Sequence, residues 1–248
     1  MTLANWIRLA AARLAAISDT PRLDAELLAA HALGMTREDM ILRLPDLAPP
    51  GGLDALLERR MAHEPVAQII GQRDFWTLTL KVTRDVLTPR PDSETLIEAA
   101  IDHFKDREPR RILDLGTGTG VLAIAIAKAW HCPVLATDID PVAVRVTQEN
   151  AALNHVRWQI EALTAAGFGH ANLTRRAPYD LIVANILAGP LIAIAPALAR
   201  RLAPGAIVVL SGLLVHQGPR VAAAYRAQGL RIMRSRAREG WLTLTLAN

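Results

Sequence analysis

Two different spacings of hydrophobic residues divide this chain of 248 residues. In residues 1–72, apolar positions recur every three or four residues, and this spacing predicts amphipathic helices. The face assigned to the first helix carries Leu9, Ala12, Leu14 and Ile17. A second helix is expected to begin at Pro21, after Thr20 as N-cap, and to end before Gly34. This part of the chain therefore reads as a small helical bundle.

From residue 73 the apolar pattern becomes that of strands. The segment "DFWTLTLKVT" alternates as a β-hairpin does, so residues 73–88 are expected to link the bundle to a larger domain at 89–248. In that domain, fully apolar strands such as "RILDL" and "YDLIVAN" alternate with helices such as "VLAIAIAKAW". This alternation is typical of a parallel sheet covered by helices on both faces, and it predicts an α/β fold. The last two strand patterns, "LRIMRSR" and "GWLTLTLA", predict antiparallel character at one edge.

Composition excludes several classes of protein. With 51% hydrophobic and 21% charged residues, the chain has the composition of a folded domain. No apolar run reaches the roughly 18 residues that a membrane span needs, and the first residues lack the order of a secretory signal, so we expect a cytoplasmic protein with no membrane partner. The single cysteine, Cys132, excludes an internal disulfide and a cysteine metal cage. No His/Cys/Asp/Glu cluster has metal-ligand spacing, so no metal site is expected.

The net charge of +4 is unevenly distributed. Residues 1–72 carry seven arginines against nine acidic residues, whereas the segment "RIMRSRAREGW" contains Arg231, Arg234, Arg236 and Arg238. This basic run is either a solvated strand face or a surface that approaches RNA or a ribonucleoprotein. It has no interleaved aromatic residues, so we expect no sequence-specific binding of nucleic acid. Proximity to the ribosome through these C-terminal strands is the sharper alternative.

A glycine-rich turn is the strongest local signal for chemistry. In "LDLGTGTGVLAIAIA" a predicted strand runs through Gly116, Gly118 and Gly120 into a helix, an arrangement in which backbone N–H groups can approach a ligand. The pattern is neither a P-loop nor the dinucleotide fingerprint, because no Gly-Lys-Ser/Thr follows and the third glycine comes one residue early. The next strand ends at Asp138, 22 residues after Gly116, where a carboxylate can accept both hydroxyls of a ribose. A purely structural turn is the alternative.

The residues "DLGTGTG…ATDID" resemble the class I S-adenosylmethionine-dependent methyltransferases, and the resemblance covers residues 111–248. It implies a seven-stranded Rossmann-like sheet whose last strand is antiparallel, with S-adenosyl-L-methionine as cofactor. In that family the turn lies beside the methionine part of the cofactor, the acid holds the ribose, and the end of the fourth strand faces the methyl group. The resemblance thereby implies cofactor contacts for Asp114, Gly116, Thr117, Gly118, Thr119, Gly120, Asp138 and Ile139. Phe168 is expected to cover the adenine, and Ala166 stands where the family has an acid for the adenine amino group.

Two more specific resemblances divide the chain. The segment "HEPVAQIIGQRDFW…VLTPRPDSETLIE" is similar to the release-factor glutamine methyltransferases, and it implies that Arg90 and Pro91 lie close to the cofactor. It also implies that residues 1–72 form a substrate-recognition domain that binds a peptide chain release factor. The segment "YDLIVANILAGPL" instead resembles the methyltransferases that modify amino groups of a large-subunit ribosomal protein. The chain therefore reads as a hybrid of two methyltransferase families.

Asn185 is the expected catalytic residue at the end of the fourth strand. Methyl transfer needs an acceptor nitrogen with a free lone pair, held in line with the methyl group. The side-chain oxygen of Asn185 and the main-chain carbonyl of Ile186 can accept the two N–H hydrogens of that nitrogen. Ile186, Leu187 and Ala188 form the expected substrate pocket, in the place where the glutamine family has Pro-Pro-Tyr. An amine fits this pocket better than a flat amide, but it must first lose a proton, and no residue is evident as the base.

These observations lead to three functional hypotheses. The first is a protein N-methyltransferase of the translation apparatus that modifies the side-chain amide of a glutamine in release factors, because the whole recognition segment matches. The second is methylation of lysine or N-terminal amines of a large-subunit ribosomal protein. The third is an inactive protein that binds the cofactor or a partner.

Overall fold

The computed structural model describes residues 1–83, 86 and 93–248, and the chain forms two compact units, Met1–Gln72 and Arg73–Asn248. Within these described residues, no helix combines the length and the apolar character that crossing a membrane requires. The same residues contain no group of three or more metal-binding side chains.

The first unit is helical. Its helices are α1 (Leu3–Leu14), α2 (Pro21–Leu33), α3 (Arg37–Leu42), α4 (Leu53–Met61) and α5 (Val66–Ile70), with a 3₁₀ turn at Leu44–Asp46. Helix α2 begins at Pro21 and ends at Gly34, whose φ of +65° gives the left-handed C-cap. The Thr20 side chain makes no capping hydrogen bond.

The buried face of α1 differs from the face expected from the sequence. Leu9 is 46% exposed, and Ala12 is exposed as well. The residues that enter the core are Leu3, Trp6, Ile7, Ala10 and Leu14. This set follows steps of three and four residues from Leu3, the first residue of the helix, and it gains the large ring of Trp6, so it buries more apolar surface than the expected face.

The second unit is an α/β layer structure. Its strands are β1 (Gln72–Phe75, which starts at the last residue of the first unit), β2 (Leu78–Lys81), β3 (Ile112–Leu115), β4 (Val134–Asp138), β5 (Ile160–Thr164), β6 (Tyr179–Asn185), β7 (Leu202–Leu214), β8 (Arg231–Arg238) and β9 (Trp241–Ala247). Its helices are α6 (Glu94–His103), α7 (Val121–Trp130), α8 (Pro141–Leu153), α9 (Ala171–Arg175), α10 (Ala188–Ala199) and α11 (Gly218–Arg226), with a 3₁₀ turn at Val215–Gln217.

Seven strands form one sheet in the order β5-β4-β3-β6-β7-β9-β8. The pairings along β5, β4, β3, β6 and β7 are parallel, and β9 is antiparallel to both of its neighbours. The predicted fold class, a Rossmann-like methyltransferase sheet with an antiparallel last strand, is confirmed. Successive apolar residues enter opposite layers of the core: Ile112 and Val183 pack on one face of the sheet, and Leu113 and Ile182 on the other. Burial on both faces explains why the central strands are apolar throughout.

The fifth strand starts later than the pattern "VRWQIE" suggested. It begins at Ile160, because the preceding residues close α8 instead of extending the sheet. The N–H of Val156 donates to the Ala151 carbonyl at 2.9 Å, and His155 adopts a φ of +62°. Trp158 therefore lies in a turn, and it is 91% exposed.

The basic run of the last strands faces an acidic helix. Three arginines of β8 form ion pairs with carboxylates of α6, at distances of 2.8–3.4 Å: Arg234 with Asp102, Arg236 with Glu98 and Asp102, and Arg238 with Glu94. The acids stand four residues apart along α6 and follow one side of the helix. This geometry matches the solvated strand face of the two alternatives, since much of the positive charge is already paired within the chain.

Candidate active site

A cavity of about 570 Å³ opens at the carboxyl ends of the central strands. It lies between β3 and β6, where the order of the parallel strands reverses, which is the usual ligand position in such sheets. Its lining brings together many of the residues expected from the sequence: Gly116, Thr117, Gly118, Thr119, Asp138, Ile139, Asn185, Ile186 and Leu187.

Other expected residues lie elsewhere. Asp114, Gly120, Phe168 and Ala188 are not part of the cavity lining, and Arg90 and Pro91 lie outside the described residues. The Phe168 ring lies under the guanidinium of Arg201, 4.7 Å from ring centroid to Cζ, instead of over the cavity. Ala165 and Gly167 are the residues near Phe168 that reach the lining.

The glycine turn is held by main-chain hydrogen bonds to the neighbouring strand. The N–H groups of Gly116 and Thr117 donate to the Thr137 carbonyl at 2.8 and 2.9 Å. Gly116 and Gly120 have φ values of +74° and +83°, and a Cβ at Gly116 would come within 2.2 Å of the Ile186 side chain. Both the conformation and the close packing therefore require glycine at the first position of the turn.

Asp138 is fixed in place before any ligand arrives. Its Oδ2 accepts from the Gly118 N–H at 2.9 Å, and its Oδ1 accepts from the Asp140 N–H at 3.1 Å. Each carboxylate oxygen has a second lone pair, so both can still accept a hydroxyl hydrogen. The residue thus has the geometry expected of a ribose acceptor on the cavity wall.

Asp114 supports the turn from behind. It is completely buried, and the Thr117 hydroxyl donates to its Oδ2 at 2.7 Å. Burial raises the pKa of this carboxyl to about 7, against the lowering effect of the Thr117 hydrogen bond. Among the described residues its Oδ1 has no hydrogen-bond partner.

Asn185 ends β6 at the cavity with its amide already oriented. Its Nδ2 donates to the Ser93 hydroxyl at 3.0 Å, and Ser93 is only 2% exposed. The Oδ1 of Asn185 is therefore the end of the amide left to accept a hydrogen from a substrate. The next residue, Ile186, packs its backbone on Gly212 so closely that a Cβ there would come within 2.6 Å of the Ile186 carbonyl oxygen.

Several lining residues were not expected from the sequence, among them Val86, Ser93, Gly212 and Trp241. Gly212 had a usable signal, because a glycine inside an apolar strand often marks a bulge or a close backbone approach. The β7–β9 register does shift between Leu210 and Leu213. Val86 and Ser93 lie within the segment whose family resemblance already implied proximity to the cofactor, whereas nothing in the local sequence of Trp241 points to the cavity.

Comparisons with known proteins match the two parts of the chain to two different families, as the sequence patterns do. The sequence model of the ribosomal protein L11 methyltransferase (PrmA) family matches residues 95–248, and that of the PrmC N-terminal domain matches residues 5–71. The chain belongs to the ribosomal protein L11 methyltransferase family. Both predicted family resemblances are thereby confirmed.

Curated relatives from the L11 methyltransferase family are similar over slightly more than half of this chain. The "Ribosomal protein L11 methyltransferase" of Mesorhizobium japonicum is 58% identical over 138 residues, which is 56% of this chain and 48% of that protein. That of Chelativorans sp. is 57% identical over 136 residues, 55% of this chain and 47% of that protein. The chain thus spans about half the length of the curated relatives it matches.

Solved structures show the same fold. A ribosomal protein L11 methylase from Lactobacillus delbrueckii subsp. bulgaricus superposes with a TM-score of 0.60 at 28% identity, covering 67% of this chain and 83% of that one. The T. thermophilus 16S rRNA N2 G1207 methyltransferase, in complex with AdoMet and guanosine, has a TM-score of 0.59 at 20% identity, covers 71% of this chain and 49% of that one, and supports the fold alone.

Membership of the L11 methyltransferase family corrects the leading functional hypothesis. Glutamine methylation of release factors is wrong as the main expectation, because relatives at 51–58% identity are named for ribosomal protein L11. The release-factor hypothesis followed the similarity of the first 72 residues to another family. The segment from Asn185 to Ala188, where the acceptor is expected, belongs to the second unit and lies within the residues that the L11 methyltransferase family model matches.

S-adenosyl-L-methionine, the cofactor expected for this family, suits the residues of the cavity. Asp138 offers carboxylate oxygens to a ribose, and the Thr119 N–H, which has no acceptor among the described residues, lies just before the start of α7. The wall is otherwise largely apolar, with Val121, Ala143 and Ile194 among its residues. Such a wall suits a purine ring and a methyl-bearing sulfonium that is shielded from water.

Proposed function

We propose that this protein transfers a methyl group from S-adenosyl-L-methionine to amine nitrogens of a ribosomal protein of the L11 type. One observation carries the proposal: Asn185 is held by Ser93 at the cavity, and Ile186 and Leu187, which follow it in the wall, are aliphatic where an aromatic side chain would stack on a flat amide. The aromatic residue of the described lining, Trp241, comes from β9 and not from this segment. The identity of 51–58% to proteins named ribosomal protein L11 methyltransferase supports the same substrate.

The chain's own groups position the acceptor in this proposal. The cofactor supplies a methyl group on a positively charged sulfur, which leaves as a neutral thioether when the amine lone pair displaces it. The Asn185 Oδ1 and the Ile186 carbonyl accept N–H hydrogens and direct the lone pair toward the methyl group. Apolar residues, among them Leu187 and Pro190, line the cavity around the reacting atoms.

No dedicated base is present among the described residues that line the cavity. Its carboxylates are Asp138 and Asp140, and both are engaged with main-chain N–H groups at the cofactor end of the site. In our proposal the amine therefore loses its proton before it docks, and the enzyme binds the neutral form.

We also propose that residues 1–72 recognise a protein partner. The support is the match of residues 5–71 to the PrmC N-terminal domain, together with the compactness of this unit. The segment at 73–88 then acts as the link to the methyltransferase domain at 89–248.

The proposed function is tested with the purified protein, methyl-labelled S-adenosyl-L-methionine and unmethylated L11 protein, alone and in large ribosomal subunits. We expect label on lysine or N-terminal amines of L11, located by mass spectrometry, and no label with an Asn185→Ala variant. Cofactor binding without transfer to L11 in either form contradicts the proposal, and it favours an inactive binding protein.

A further inference from the structure

Helix α8 contacts the back of the glycine turn through a fully buried amide, Asn150. The Oδ1 of Asn150 accepts from the Lys81 N–H at 2.6 Å. Its Nδ2 donates to the carbonyls of Lys81, at 3.1 Å, and of Thr119, at 2.9 Å. One side chain therefore joins the end of β2 to the turn that lines the cavity.

The orientation of this amide is determined by its partners. A main-chain N–H only donates and a carbonyl only accepts, so a flipped amide would place its oxygen against two carbonyl oxygens. One helical turn earlier, the hydroxyl of Thr147 donates to the Gly118 carbonyl at 3.1 Å, and Thr147 is also fully buried. Two consecutive carbonyls of the turn are thus drawn toward α8.

The geometry of the Gly118–Thr119 peptide determines which way the Thr119 N–H points. In a trans peptide the C=O and the following N–H point in opposite directions, and the bond between Gly118 and Thr119 is not among the cis bonds of the described chain. With the Gly118 carbonyl held toward α8, the Thr119 N–H faces away from α8. Among the described residues this N–H has no acceptor. Thr119 lines the cavity just before the first turn of α7, where N–H groups and the helix dipole favour an anion.

The only anionic group of S-adenosyl-L-methionine is the carboxylate of its amino-acid part. We infer that Thr147 and Asn150 are positioning residues, which hold the glycine turn so that the Thr119 N–H, beside the start of α7, receives this carboxylate. The inference rests on the proposed cofactor site and adds to it two residues that do not line the cavity. In this inference, Thr147 and Asn150 affect binding of the amino-acid end of the cofactor. Asp138 binds the nucleoside end.

The test compares two asparagines of the same helix. Asn154 donates to the Thr79 carbonyl of the β1–β2 hairpin at 2.8 Å, so it also holds the hairpin, but it makes no contact with the glycine turn. Both Asn150→Ala and Asn154→Ala therefore remove a hydrogen bond to the hairpin. Only Asn150→Ala also removes a hydrogen bond to the glycine turn.

The readout is the Kd of two ligands by calorimetry. S-adenosylhomocysteine carries the amino-acid part, and 5′-methylthioadenosine lacks it. For Asn150→Ala we expect about ten-fold weaker binding of S-adenosylhomocysteine and less than about two-fold for 5′-methylthioadenosine, the scale of one lost hydrogen bond to a charged group. Asn154→Ala should change both constants by less than about two-fold. Asp138→Ala should weaken both ligands, because both contain the ribose.

A second pair of variants keeps the test valid if Asn150→Ala fails to fold. Thr147→Val keeps the shape of the side chain and removes only the hydroxyl, and Thr147→Ser restores the hydroxyl. We expect Thr147→Val to weaken S-adenosylhomocysteine selectively and Thr147→Ser to recover the affinity. A general loss of stability would instead affect both ligands alike.

Two outcomes are decisive against the inference. If the unaltered protein binds S-adenosylhomocysteine, and the Asn150 and Thr147 variants lose both ligands equally or neither, the positioning role is wrong and the proposed function stands. If the unaltered protein does not bind S-adenosylhomocysteine, the proposed function fails, and this inference fails with it.

Discussion

Asn185 is the residue on which the proposed chemistry depends most directly. Its Nδ2 is engaged by Ser93 at 3.0 Å, so Asn185→Ala removes an oriented acceptor without opening the cofactor end of the cavity. We expect the rate of transfer to fall by at least about a hundred-fold, as for the loss of other oriented groups that act on the reacting atoms, with the Kd of the cofactor nearly unchanged. Single-turnover assays and calorimetry measure the two quantities. Retained turnover would mean that another group orients the amine.

The acceptor amine gives the reaction a pH dependence. A protonated amine has no lone pair, and the described residues of the cavity provide no dedicated base. We therefore expect kcat/KM for the protein substrate to rise with pH, by about ten-fold per unit while the pH stays below the amine pKa. A rate profile that is flat from pH 6 to pH 9 would contradict delivery of a neutral amine from solution.

Asp114 gives the fold a separate pH dependence. Burial raises the pKa of its carboxyl to about 7 in the folded chain, well above the ordinary value of an aspartate. A raised acid pKa means that the folded state holds the proton longer, so Asp114 lowers stability progressively from about pH 4 to about pH 7. We expect Asp114→Asn to become more stable relative to the unaltered protein as pH rises from 5 to 8, by an amount on the order of 1–3 kcal/mol. Urea unfolding at both pH values measures this, and an equal difference at the two pH values would refute it.

The residues that the sequence predicted share one property: a short local pattern signals them. Gly116 directly follows β3, and Asp138 and Asn185 are the last residues of β4 and β6. Ser93 and Asn150 act through partners that are 92 and 69 residues away along the chain, at Asn185 and Lys81. Such contacts depend on the packing of whole elements, so no spacing within one segment signals them.

The prediction of helices and strands from the sequence is limited in the same way. The alternation of continuous apolar runs with helical patterns located the parallel strands of the sheet, but it could not place the start of β5, because Val156 satisfies a helix end and an apolar strand position equally well. The predicted buried face of α1 was wrong because alanines and leucines lie on several sides of that helix. In both cases a tertiary contact selected between local patterns of similar quality.

The pairing of β8 with α6 predicts a small, salt-dependent contribution to stability. The side chain of Arg236 is 32% exposed and contacts Glu98 and Asp102 at 3.2 Å. Because these pairs are partly solvated, we expect Arg236→Ala to lower the free energy of unfolding by only about 0.2–1 kcal/mol, and by less in 1 M salt. Arg231→Ala, on the same strand but without an ion pair among the described residues, is the control. Equal losses in both variants would show that the pairing itself contributes nothing.

At the scale of the whole molecule, the two units carry different family signatures. The unit Met1–Gln72 matches the PrmC N-terminal domain, and Arg73–Asn248 contains every described residue that lines the cavity. The family of the catalytic chemistry therefore follows the second unit, and similarity in the first unit is a poor guide to the acceptor. Curated relatives align with only about half of their own length, so partner recognition in this chain need not follow theirs.

Because the two units carry different signatures, we expect removal of the first unit to affect binding of the protein substrate but not of the cofactor. A variant that lacks residues 1–72 retains all described cavity residues, and a unit of 176 residues is large enough to fold alone. We expect its Kd for S-adenosylhomocysteine to stay within about two-fold of the full chain, while KM for the L11 substrate rises by about ten-fold or more because a recognition surface is lost. Circular dichroism and thermal unfolding of the shortened chain provide the control for folding. An unchanged KM would remove the recognition role from the first unit, whereas loss of S-adenosylhomocysteine binding in a folded variant would show that the first unit also supports the cofactor site.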